Sequence, residues 1–233
     1  MKTCYTAIFG NYDDLKQPFM TSQHWRYVCF TDQDLELPPD NKWEIRKVPI
    51  INNDPVKTAR YYKIMFHKHI RAEFSLWIDA TFIVNIDLNR WWKRYKWPFT
   101  TVRHPFDDCL FTDIISCMKG GKSDPGILAR QYCHYEQLGI PKHNGLISSG
   151  ILMRQKNEKV NQLCETWWDE VEKWSSRDQV AFGYAQWKHP GVHDSIQWNY
   201  TTQKEFIHIP HLHKPWRKEN LKEAHRLYGS QGN

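Results

Sequence analysis

The stretch Ser75-Leu76-Trp77-Ile78-Asp79-Ala80-Thr81-Phe82-Ile83-Val84 decides how the rest of the chain is read. Ser75 to Ile78 is a short, unbroken apolar run, the pattern of a strand buried on both faces. It stops abruptly at a carboxylate, Asp79. A second apolar run follows at once, and Asp87 then opens a short helix through Trp92. Such a boundary delivers a carboxylate to the rim of a sheet. There it can hold a divalent metal or ribose hydroxyls, or it can cap a helix or turn, which is at least as common for a lone Asp.

Upstream lie three more strand signals. Cys4 to Phe9 ends at Gly10-Asn11-Tyr12-Asp13, Arg26 to Thr31 ends at Asp32, and Trp43 to Val48 alternates in polarity. Asp54 and Pro55 are suited to the N-cap and first position of a helix. Val56, Ala59, Tyr62, Ile64, Met65, Phe66 and Ile70 extend its apolar face to residue 70. Strands alternating with helices predict a mostly parallel central sheet flanked by helices. Ligands bind such sheets at the carboxyl ends of the strands. The Gly10 turn, Asp32 and Asp79 would share that rim.

The second half continues with a strand at 100–103, helices at 108–119 and 126–138, and a Gly/Pro loop at 139–145. Leu146 to Met153 reads as a strand. Asn157 to Trp174 is the clearest amphipathic helix, and another starts near Ser176. A strand at Phe206 to Ile209 follows. The last fifteen or so residues are polar, frayed or a short surface helix.

At 233 residues, 40% hydrophobic and 25% charged, the chain is ordinary globular material of about one domain. The net charge of +6 favours phosphate-bearing partners and is compatible with peripheral association at an anionic membrane. It comes without a Lys/Arg run or a nucleic-acid-binding motif, so no nucleic-acid partner is expected. No apolar window approaches the roughly eighteen residues of a membrane span. The opening MKTCYTAIFGNYDD lacks the apolar core of a secretory leader. The six cysteines form no C-x-x-C pair, which argues against a zinc framework. These features together predict a cytoplasmic protein with reduced thiols.

Three further constellations carry chemistry. In Ser176-Arg177-Asp178-Gln179, Asp178 and Gln179 suit the hydroxyls of a sugar, but Ser followed by acid and amide also makes a good helix cap, and residue physics alone favours the cap. His208 to Trp216 packs three imidazoles and Lys214 into a short span, fit for metal and phosphate or simply an exposed loop. Lys57, Arg60 and Lys63 recur every three residues on one helical face, where they can line a diphosphate or form a solvated basic face.

Together these segments resemble a family. LWIDATFIVNID is similar to the segment of glycogenin-like glycosyltransferases in which a strand ends in Asp-x-Asp. There the two carboxylates hold a manganese ion bridging the nucleotide diphosphate. Asp79 matches the first, and Thr81 stands where the second would be. Those enzymes also carry His-x-x-Gly-x-x-Lys-Pro-Trp, in which the His binds metal and the Lys phosphate. His208, Lys214, Pro215 and Trp216 match it, with His211 at the glycine. Ser149-Gly150, Asp178-Gln179 and Lys63 resemble further marks of that group. Closer still is a glycosyltransferase-like family long catalogued as a domain of unknown function, found in plant cell-wall and bacterial surface-glycan proteins. YTAIFGNYD, WIDA, Arg103-His104-Pro105 and SRDQ carry that resemblance from Tyr5 to about Pro215.

The resemblance implies a single GT-A-like, Rossmann-like α/β domain over 1–216, followed by a polar tail over 217–233. It implies a glycosyltransferase that takes a nucleotide-diphosphate sugar as donor and a glycan or other hydroxyl as acceptor, in polysaccharide or surface-glycan synthesis. Gly10, Asn11, Tyr12 and Asp32 are expected around base and ribose. Arg60, Lys63 and Lys214 are expected on the diphosphate. Asp79 and His208 would hold Mn²⁺ or Mg²⁺, with Thr81 a poor second ligand for a hard cation. Ser149, Gly150, Asp178 and Gln179 would surround the sugar, with Asp79, Asp178 and Gln179 in the catalytic set. Retention would use Asp178, and inversion a base such as Asp178 or Asp108. A metal-dependent hydrolase built on the histidine-rich tail and a non-catalytic glycan-binding module are the competing classes.

Overall fold

The parallel core of the sheet is set by β1 (Lys2–Ile8), whose residues Thr3 to Ile8 are all buried, so both of its faces must be covered. In the computed structural model, which describes residues 1–199, 202–211 and 217–229, β1 pairs in parallel with β2 (Trp25–Thr31) and with β4 (Phe74–Ile78). The short β3 (Glu44–Lys47) joins β2, also in parallel. Between β3 and β4 lie α1 (Pro55–Ile64) and α2 (Phe66–His69). After β4 come β5 (Phe82–Val84), α3 (Leu88–Trp92), β6 (Phe99–Arg103), α4 (Leu110–Lys119) and α5 (Pro125–Gln137). Then follow β7 (Ile147–Gln155), α6 (Glu158–Lys173), α7 (Asp178–Lys188), β8 (Asp194–Ile196), β9 (Phe206–His208) and α8 (Arg217–Tyr228).

The seven-stranded sheet runs β3-β2-β1-β4-β7-β6-β8. β7 alone is reversed, lying antiparallel to both β4 and β6. The expected α/β architecture, Rossmann-like and mostly parallel, is therefore present. Reversal has one local consequence. The carboxyl end of β4 meets the amino end of β7, with Ile78 opposite Ile151 and the Asp79 N–H donating to the Gly150 carbonyl at 2.9 Å. Ser149 and Gly150 are thereby brought to the same rim as Asp79.

Side chains alternate across the sheet as pleating requires. Tyr5, Val28, Phe30 and Trp77 face α1, α6 and α7, where Ile64, Leu163, Trp167 and Phe182 close the layer. Cys4, Tyr27, Cys29, Leu76 and Ile78 face the other way, towards Leu88, Trp91 and Phe206. A separate two-stranded sheet pairs β5 with β9, placing His208 opposite Phe82. The six cysteines are unpaired, and no helix among the described residues is long and apolar enough to cross a membrane.

The structure departs from the sequence expectation in two places. The helix expected over 55–70 breaks at Met65, whose ψ of 39° leaves the helical region. The cause is Arg154, fully buried on β7. Its guanidinium donates to the carbonyls of Lys63 at 2.7 Å and Ile64 at 3.2 Å, and also to the Tyr5 hydroxyl. Those carbonyls would otherwise accept from the next helical turn. The second departure is β8, three residues without an apolar run, which forms only as an edge partner of β6. Of the two readings of the polar carboxyl-terminal segment, frayed or a short helix, the structure has the helix, α8, with Leu221 against Ile83, Ile209 and Phe19.

Arg154→Met keeps the volume but removes the guanidinium from the Ile64 carbonyl and leaves the Lys63 carbonyl with the Tyr5 hydroxyl alone, at 3.0 Å. It is expected to lower stability by about 3 kcal/mol. The midpoint of urea unfolding should fall at unchanged slope, and a midpoint equal to wild type would contradict this role.

Candidate functional site

A cleft of about 370 Å³ opens at the carboxyl rim of β1 and β4. Gly10, Asp13, Arg60, Asp79, Arg177 and His211 are among the residues lining it. A larger cavity of about 860 Å³ lies at the opposite end of these strands, beside Lys2 and Phe74. None of the residues expected from the sequence to do chemistry line that larger cavity, so the rim cleft is the one that matters.

The floor of the cleft is organised by Lys63. It sits in the last turn of α1 and is 1% exposed. Its ammonium lies 2.7 Å from Asp178 Oδ2, 3.0 Å from Ser149 Oγ and 3.1 Å from Asp79 Oδ1. Three acceptors match its three protons, which is what permits a buried ammonium. Asp79 Oδ1 also accepts from Trp77 Nε1 at 2.7 Å, and its side chain is 33% exposed to the cleft. Gly150 must stay small beside it, because a Cβ there would come within 2.8 Å of the Phe82 ring.

Asp178 is enclosed. Ser149 Oγ donates to it at 2.7 Å, and Arg60 Nε lies 3.4 Å from its other oxygen. Burial alone would raise its pKa, but Arg60, Lys63 and Arg177 outweigh that and hold it well below the ordinary carboxylate range. It is not a helix cap in the expected sense. It is the first residue of α7, Arg177 holds the N-cap position, and no side chain caps the helix. Its position at a helix N-terminus further favours the charged form. Gln179 donates to the Ile147 carbonyl at 2.8 Å, which ties α7 to β7.

The turn after β1 closes the other wall. Gly10 and Asn11 adopt φ of 63° and 54°, and the Gly10 N–H donates to Asp32 Oδ1 at 3.2 Å. A side chain at Gly10 would press on Pro55, with a Cβ only 2.9 Å away. Tyr12 sits edge-on to His211 at 4.9 Å. Asp13, 4% exposed, contacts Lys16 Nζ at 3.1 Å and His211 Nδ1 at 2.8 Å. Burial opposes its ionisation, yet His211 and Lys16 lower its pKa below the usual range. Lys16 Nζ also reaches Asp14 Oδ1 at 3.0 Å and the Ala80 carbonyl at 2.7 Å, binding this turn to the segment after β4.

The described residues thus bring Gly10, Tyr12, Arg60, Lys63, Asp79, Ser149, Gly150 and Asp178 together. His208 lies near enough to Asp79 for electrostatic interaction. Asp32 supports the turn without lining the cleft, and Asn11 does not line it either. Lys57 turns away to the Glu172 carbonyl. Asp108, a candidate base, pairs with His143 outside the cleft. Lys214 lies outside the described residues. Sequence reasoning passed over Asp13, Arg177 and Lys122 as site residues. The first two were in quoted motifs, and Lys122, in a Gly-rich turn, carries no signal of its own.

The donor set among the described residues does not assemble a divalent metal centre. Among the described residues, no three His, Cys, Asp or Glu side chains converge on one point. Thr81 is 4% exposed and does not line the cleft. One oxygen of Asp79 is held by Lys63 and Trp77, and Asp13 is held by Lys16 and His211.

A cleft at the carboxyl rim of a mostly parallel sheet is where such α/β domains bind ligands. Residues 41–213 match the TOD1/MUCI70, glycosyltransferase-like domain, and the chain belongs to that family. The resemblance to a family formerly of unknown function is thereby borne out. The chain is also 23% identical over 206 residues to the probable hexosyltransferase MUCI70 of Arabidopsis thaliana. That alignment covers 76% of this chain and 36% of the relative's length.

The ionised Asp178 links the site to pH. Its folded pKa lies below the ordinary 3.8, so its stabilisation is present above that value and is lost as pH falls through and below it. Thermal melts from roughly pH 7 down to pH 3 should show this acid limb, and Asp178→Asn should make it shallower. An equally steep limb in the variant would remove Asp178 from the account.

Proposed function

We propose that this chain is a glycosyltransferase of GT-A type that moves a sugar, of the hexose class, from a nucleoside-diphosphate donor to a hydroxyl of a glycan. The observation that carries the reading is the Lys63 ammonium held between Asp79, Ser149 and Asp178 at the floor of a cation-lined cleft. Family membership supports the transferase class. The hexosyltransferase name of the relative supports the sugar class. Synthesis of a polysaccharide or surface glycan is the setting we infer for it.

The reaction breaks the bond between the anomeric carbon and the diphosphate, so negative charge develops on the leaving group. Preorganised cations stabilise that charge without reorganising. Arg60 and Arg177 line the cleft and are oriented by Asp178, which we assign the role of fixing them. The base and ribose are placed against Tyr12 and the Gly10-Asn11 turn. Asp79, with its Oδ1 fixed by Trp77 and Lys63, presents the rest of its carboxylate to the donor hydroxyls. Ser149 and Gly150 form the floor beneath the sugar, Gly150 leaving room that a side chain would fill.

Thermal-shift measurements with nucleoside diphosphates and with free sugars test the class. Stabilisation by a nucleoside diphosphate but not by free sugars is expected. A chain indifferent to every nucleoside diphosphate and nucleotide sugar would not be this enzyme. Asp79→Asn should lower transfer by about 10² to 10³ while the chain still folds with a lowered melting temperature, since the amide keeps an acceptor oxygen for Lys63 but loses the charge. Near-wild-type turnover in that variant would sink the assignment of Asp79.

A further inference from the structure

We propose that this chain binds its donor diphosphate without a divalent ion, its own lysines and arginines taking the place of the metal. The inference rests on reading the rim cleft as the donor site. Two carboxylates line that cleft, Asp79 after β4 and Asp13 after β1. Each is already in contact with a buried ammonium, Lys63 at 3.1 Å and Lys16 at 3.1 Å. Both ammonium groups are themselves saturated. Lys63 has Asp79, Asp178 and Ser149, and Lys16 has Asp13, Asp14 and the Ala80 carbonyl. A hard dication needs several oxygens converging from different directions. Here Asp79 Oδ1 converges on Lys63 and Trp77 nitrogens, and Asp13 on those of Lys16 and His211.

Repulsion points the same way as the ligand geometry among the described residues. A dication at Asp79 would sit beside the fixed charge of Lys63, which is 1% exposed and has no room to withdraw into water. Position 81, where a second carboxylate would outweigh that charge, is a buried threonine. Beside the two carboxylates, three cationic side chains line the open volume: Arg60, Lys122 and Arg177. Arg60 is steadied by the ionised Asp178 behind it, with its Nε 3.4 Å from Oδ1, and Arg177 Nη2 lies 3.4 Å from Gln179 Oε1. Guanidinium groups offer planar, paired donors to phosphate oxygens, and a fixed cationic pair neutralises a diphosphate as a bound ion would.

The test is equilibrium binding by calorimetry with the full chain, using UDP, GDP and ADP as probes. Each is titrated in EDTA, and again in Mn²⁺ or Mg²⁺. The nucleotide that binds should do so with a Kd that differs by less than about threefold between the conditions. Arg177→Gln and Lys122→Gln should each weaken binding about tenfold or more in both conditions. Lys122 is exposed, so its variant reports on binding even if the partly enclosed Arg177 variant folds poorly. Binding that EDTA abolishes, or that Mn²⁺ tightens by about tenfold or more, overturns the proposal while leaving the donor site standing. No binding of any nucleoside diphosphate in either condition removes the donor site, and this inference with it.

Discussion

A buried ammonium must have its protons taken up, and the site is arranged around that demand at Lys63. The three groups that meet it come from β4, β7 and α7, so one lysine on α1 draws four elements to one point. Removing any one acceptor leaves charge buried without compensation, a cost larger than most surface changes incur. Arg154 works from the other side. By taking the carbonyls of Lys63 and Ile64 it ends α1 at the turn that carries Lys63, and so fixes where the ammonium can reach.

The single reversed strand matters as much as the parallel ones. Were β7 parallel to β4, its amino end would lie at the far edge of the sheet, and Ser149-Gly150 could not approach Asp79. Reversal gives the site a floor from the second half of the chain and walls from the first. It also shows why the cleft is electrostatically closed. Asp13 and Asp178 stay ionised beneath the surface because each has a cation in contact, and Lys63 makes the same contact with Asp79.

Much of the fold was legible because local signals agreed with the tertiary outcome. Cys4 to Phe9, Arg26 to Thr31 and Ser75 to Ile78 are apolar runs, and in the structure they are the buried parallel strands. The break at Met65 was not legible, because the group that causes it lies 90 positions away from Ile64. Nor was β8, whose Asp194-Ser195-Ile196 has no apolar pattern and exists only as an edge partner. In the site, Asp79, Lys63 and Ser149-Gly150 were found through resemblance. Their separate residue patterns fit caps and solvated faces equally well. Arg177 stood inside a motif whose helix-start reading concealed its orientation, and the roles of Gln179 and Asp32 as ties to backbone depend on neighbours distant in sequence.

The spacing of the Lys63 contacts bears on how the protein comes into being. Asp79 is 16 positions from Lys63, but Ser149 is 86 positions away. The first contact can close while the chain is still short. The second must wait until β7 has been made and has inserted beside β4, paying the loop-closure entropy of everything between. During synthesis the emerging amino-terminal half therefore carries a lysine with only part of its complement, and the cleft acquires its floor late. A complete cleft floor becomes a report that the two halves of the chain have met in register.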